Sequence, residues 1–94
     1  MYTAIRNVLC QLLLADANRI PGPAAHSVGR STVGAMVTAG LVRPVGGRGV
    51  VTLKLTAKGV EQLGVMADLG DRVVLRMYDT IRFFQPEASE EKTH

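Results

Sequence analysis

Few side chains of this 94-residue chain are suited to covalent chemistry, and they are scattered. His26 and His94 are far apart, and neither has a nucleophile and a carboxylate spaced to work with it. Asp68 and Asp71 stand three apart in a segment of helical period, where such a pair is a solvated face with Arg72 as a natural partner. Gly46-Gly47-Arg48-Gly49 lacks the Lys-Ser/Thr and the following helix of a phosphate loop. His26 alone makes one metal ligand, not a site. Cys10, the single cysteine, lies in the apolar run Val8 to Leu14 and reads as a small buried hydrophobe; it excludes an internal disulfide. Catalysis, a metal and a cofactor are therefore not expected.

What the chain does carry is noncovalent chemistry for an anion. Eleven Lys plus Arg stand against eight Asp plus Glu, a net charge of +3. Up to Gln85 there are ten basic and five acidic residues, a balance of +5, whereas Glu87, Glu90, Glu91 and Lys92 leave the end of the chain at −2. A basic body with an acidic end suits an anionic partner such as nucleic acid. Arg48 has a distinctive setting, flanked by glycines at the tip of a segment patterned as a hairpin.

One domain, residues 1–85, must position these groups, followed by an acidic flexible tail, 86–94. The chain is 47% hydrophobic with only four aromatic residues, so the core is built mainly of Val, Leu, Ile, Ala and Met. Thr3 is placed to cap a helix from about Ala4 to Ala17, with Ile5, Val8, Leu9, Leu12 and Leu13 on its buried face. Arg6, the apolar run and Ala15-Asp16-Ala17 imitate a secretion signal. Gln11 interrupts the run and the positive region is a single arginine, so the segment reads as the first helix of a cytoplasmic domain. No stretch approaches the ~20 apolar residues of a membrane span.

Asn18 to Pro23 ends that helix, and a short helical turn is expected around Pro23 to His26. A second helix opens at Ser27 or Ser31 and reaches about Ala39, with Val33, Met36 and Val37 inward and Gly40 as its stop. The period then changes to two: Leu41 to Val45, a turn at Gly46 to Gly49, and a return over Val50 to Leu55. Pro44 marks the first strand as an edge. Thr56 caps a new helix, and from Ala57 to about Phe84 apolar residues recur every three or four positions. Gly70-Asp71 is a candidate break; the reading taken is one long helix with a weak point there.

Ala39-Gly40-Leu41-Val42-Arg43, and Val50-Val51-Thr52-Leu53-Lys54-Leu55-Thr56-Ala57-Lys58-Gly59, resemble the winged-helix regulators of the MarR and PadR type. There a "GLV-R" step leaves the recognition helix, and a strand ending "L-T-x-x-G" leads into the next helix. The resemblance covers residues 27–63 well and the first helix by pattern only. It implies a mainly α fold with a β-hairpin wing, a winged helix-turn-helix with a long C-terminal helix. Two departures stand out: Pro21-Gly22-Pro23 squeezes the usual second helix, and the extra N-terminal dimerisation helix is missing. No small-molecule effector is evident.

The resemblance also assigns roles. The outward face of the recognition helix would present His26, Ser27, Arg30, Ser31, Gly34, Ala35 and Thr38 to the major groove of double-stranded DNA, with Arg30 able to fork onto guanine. Arg48 at the wing tip would reach a minor groove or a phosphate. Arg43 and Lys54, with Lys58 and Arg19, would add phosphate contacts. The apolar surface of 57–84 exceeds what the first helix can cover, so Leu63, Met66, Val73, Val74, Met77, Tyr78, Ile81 and Phe84 are expected to join a homodimer, the alternative being a helix that folds back to complete a monomeric core. The expected function is a sequence-specific transcriptional regulator, a repressor by operator occupancy. Alternatives are a protein-interaction module or a non-specific architectural protein, and the wing can equally be a dimer contact.

Overall fold

The structure is a computed structural model, and it describes residues 1–46 and 49–84. It is mainly helical with one two-stranded antiparallel hairpin. The elements are α1 (Tyr2–Ala17), α2 (Ala25–Val28), α3 (Arg30–Thr38), β1 (Val42–Val45), β2 (Thr52–Leu55), α4 (Ala57–Asp68) and α5 (Arg72–Phe84). Gly47 and Arg48, and the tail expected over 86–94, lie outside the described residues. Among the described residues no helix is long and apolar enough to cross a membrane.

Helix α1 is the centre of the packing and touches α3, β2, α4 and α5. Val8, Leu9, Cys10 and Leu12 enter one core with Met36, Leu41, Val42, Leu53, Leu55, Leu63, Met66, Val74 and Met77. Ile5 and Leu13 are half-buried against it. Thr3 does not cap α1. The helix begins two residues earlier than a Thr3 cap requires, with Met1 at the N-cap and Ile5 N–H donating to the Met1 carbonyl at 3.0 Å.

The exit from α3 follows local chemistry. Gly40 has φ +75°, a left-handed turn that suits glycine. Its N–H donates to the Val37 carbonyl at 2.9 Å and Leu41 N–H to that of Met36 at 2.9 Å, the paired bonds of a Schellman stop. Leu41 then drops into the core. Thr56 joins this turn to the next helix: its hydroxyl donates to the Gly40 carbonyl at 2.6 Å and accepts from Gly59 N–H at 3.0 Å. Gly59 is required by space, since a Cβ there would collide with the Leu41 carbonyl oxygen.

The hairpin pairs Val42 with Leu55, Arg43 with Lys54, Pro44 with Leu53 and Val45 with Thr52. Val42, Leu53 and Leu55 face the core, and Arg43 and Lys54 face away. The other edge of β2 is also used. Ala24 forms a single antiparallel bridge with Thr52, through Ala25 N–H to the Val51 carbonyl at 2.7 Å and Leu53 N–H to the Pro23 carbonyl at 3.1 Å. Pro21-Gly22-Pro23 thus does more than end α1; it holds the entry to α2 against the hairpin.

The long helix expected over 57–84 is two helices. Gly70, at φ +88°, donates to Ala67 and Asp71 N–H to Met66, closing α4 with a second Schellman stop. Asp71 Oδ1 then accepts from Val73 N–H at 3.0 Å and Val74 N–H at 3.2 Å, capping α5. Helix α5 folds back onto α1 and α4. This revises the residues assigned to a dimer: Leu63, Met66, Val74 and Met77 are buried in the protomer's own core, and Tyr78 and Ile81 are half-buried against it. Val73 stays exposed, as do Val65, Leu75 and, at 80%, Leu69. The side chain of Phe84 lies outside the described residues.

Candidate nucleic-acid interface

Two short helices and the hairpin carry the predicted site residues. His26 and Ser27 lie on α2, which breaks from α3 at Gly29 (φ +105°). Arg30 and Ser31 form the first turn of α3, and Thr38 its last. All five are exposed, as is Gly34, while Ala35 is half-buried. At about 100° of rotation per residue, Arg30, Gly34, Thr38 and Ser31 fall within one arc of roughly 100°. Met36 lies on the other side and is fully buried. With a core residue behind, α3 turns outward a face of polar and small residues that also includes Val37.

Val37 corrects the expected inward set. It is 41% exposed, because the same rotation places it about 20° from Arg30, on the outward face. Val33 is half-buried. The structure brings His26 and Arg30 together around one open hollow, whose remaining walls are Ala25, Val33 and Gly34. Among the described residues Arg30 has no ion pair, so its guanidinium donors are free for a ligand. Ser27 is partly committed, since its hydroxyl donates to the Ala24 carbonyl at 2.8 Å and keeps only acceptor capacity.

On the hairpin, Arg43 and Lys54 are register partners on the outward face. Like charges directly opposite destabilise a strand pair. Lys54 gains partial compensation from Asp16, with Nζ 3.6 Å from Oδ1 across the end of α1. Two apposed cations can share one phosphate group. Arg48, assigned to the hairpin tip, lies outside the described residues. Arg19 is exposed at φ +57°, and Lys58 is exposed in the first turn of α4.

Arg72, Arg76 and Arg82, for which the sequence suggested no contact role beyond pairing of Arg72 with Asp68 or Asp71, are exposed along α5 and have no ion pair among the described residues. Their spacing within a predicted dimer helix masked them. Burial pushes the Cys10 thiol up and likewise raises the Tyr78 hydroxyl. Among the described residues no group of three or more His, Cys, Asp or Glu is gathered as a metal would require. No protein-family model, curated protein or solved structure matches the chain.

Proposed function

We propose that this protein is a winged-helix regulator that binds double-stranded DNA in a sequence-specific manner, with α3 in the major groove and the β1–β2 hairpin as the wing. One observation carries the reading: α3 is anchored by Met36 and turns Arg30, Ser31, Gly34 and Thr38 outward with Arg30 unpaired among the described residues. The order of α1, α2, α3, hairpin and α4, with Ala24 bridged to Thr52, supports the winged-helix reading. The apposed Arg43 and Lys54 support phosphate contact beside it. Exposed Val65, Leu69, Val73 and Leu75 on and between α4 and α5 support a homodimer, whose two-fold axis sets a roughly palindromic site. Occupancy of an operator makes such a protein a repressor.

The test is fluorescence anisotropy with a labelled duplex from upstream of the protein's own gene and a scrambled duplex, at about 50 and 200 mM salt. A preference of at least ~10³ for the native duplex supports the regulator. Equal binding that collapses with salt points to an architectural role instead. No binding to either points to a protein partner on α4 and α5.

A further inference from the structure

The hollow beside Arg30 contains a glycine with no structural reason to be one. Gly34 lies inside α3, where glycine is destabilising relative to alanine. Its φ is not in the left-handed region, and a Cβ built there meets nothing within 4 Å. Neither backbone conformation nor packing inside the protein asks for glycine here. The missing side chain instead leaves the hollow open to something approaching from outside. The walls have a definite chemistry: Ala25 and Val33 present methyl groups, Arg30 presents a forked donor, and His26 closes the lining.

Of the groups on a DNA major-groove edge, one is apolar, the C5-methyl of thymine; guanine offers the N7 and O6 pair that fits arginine. We infer that the hollow of Ala25, Val33 and Gly34 seats a thymine methyl while Arg30 binds an adjacent guanine, so that each half-site contains a thymine next to a guanine. This rests on the DNA-binding reading above and makes it specific: hydrophobic contact supplies part of the base recognition, and Gly34 is the opening that lets the base edge in. Bases without a methyl at that position leave the apolar walls facing a polar edge, and they bind more weakly.

The experiment uses the full 94-residue chain. A random duplex pool is selected for binding, and each thymine of the winning site is then replaced singly by deoxyuridine, which removes the methyl alone. The expected result is one sensitive thymine per half-site, beside a guanine, where deoxyuridine weakens binding about fourfold, the equivalent of ~0.8 kcal/mol for one buried methyl. Val33→Ala should erase the difference between thymine and deoxyuridine while the protein still binds the duplex. Gly34→Ala, which adds a methyl group at the hollow, should lower affinity for the thymine-containing site. Deoxyuridine tolerated at every position overturns the inference, as does a methyl effect that persists unchanged in Val33→Ala. Enrichment of no sequence from the pool is a different failure, since it removes the sequence-specific reading itself.

Discussion

The hydroxyl of Tyr2, in the first turn of α1, donates to Asp71 Oδ2 at 2.6 Å, while the other oxygen of the same carboxylate caps α5. Arg6 Nη1 also reaches Oδ2, at 3.4 Å. The residue expected to pair locally with Arg72 thus ties the start of the chain to the α4–α5 corner. Tyr2 is the main reason the Asp71 carboxyl is held below its usual range, aided by the Val74 and Val73 amides and the Arg6 charge and opposed by burial. A lowered folded-state pKa contributes stability that is complete above the unfolded value, about 4, and is lost as pH falls through the folded one. The Tm should therefore hold from about pH 7 to 5 and drop below about 4, with a smaller acid drop in Asp71→Asn and a lower Tm for that variant at neutral pH. The same bond raises the Tyr2 hydroxyl, so its contribution is complete below about pH 10 and declines as pH rises further. Tyr2→Phe should remove that alkaline decline. Thermal melts across pH check both.

Cys10 is 6% exposed, and burial raises its thiol, so little thiolate forms at neutral pH. The native chain should react with Ellman's reagent at least tenfold more slowly than the unfolded chain in guanidinium, and Cys10→Ala should lower stability by about 1 kcal/mol rather than change DNA affinity.

Gly34→Ala separates stability from binding. Relief of the helix-interior glycine should raise unfolding free energy by about 0.5–1 kcal/mol. DNA affinity should fall in the same variant. Denaturant melts and anisotropy on one preparation measure the two together.

Arg43 faces Lys54 across the hairpin, and stability gains nothing from that apposition. Arg43→Thr should leave stability unchanged or raise it by a few tenths of a kcal/mol, while weakening binding to all duplexes alike. The slope of log affinity against log salt should shrink by about 0.9 per protomer for one lost phosphate contact. A loss confined to one sequence would instead make Arg43 a base-reading residue.

Local chemistry was legible in the sequence, and long-range closure was not. Thr56 and Gly40 were readable because capping and left-handed turns are decided within a few residues; the added bond from Thr56 to the Gly40 carbonyl then links the two ends of the hairpin. Gly70-Asp71 was visible as a break, yet the unbroken apolar spacing favoured one helix. Spacing records which residues are buried, not what buries them, and Val74 and Met77 are buried because their own helix, α5, folds back onto α1 and α4 within one protomer. The Ala24–Thr52 bridge had no signal at all, since one bridge has no period. Val37 shows the limit of reading a short helix by apolarity, because its rotation, not its side chain, sets it beside Arg30. Of the candidate site, the outward placement of Arg30, Arg43 and Lys54 was legible from residue type and period, whereas Arg76 and Arg82, exposed on α5, were hidden by the apolar residues between them.

The most direct test of the proposal that α3 reads DNA compares wild type and Arg30→Ala on the selected duplex and on a scrambled one at the same salt. Arg30 is exposed and has no internal partner among the described residues, so its removal should leave the Tm unchanged. Binding to the selected duplex should weaken by about 1–3 kcal/mol, roughly 5- to 150-fold, with a much smaller change on the scrambled duplex. An equal loss on both duplexes would reduce Arg30 to a phosphate contact, and no loss on either would contradict the assignment of α3 as the helix that reads DNA.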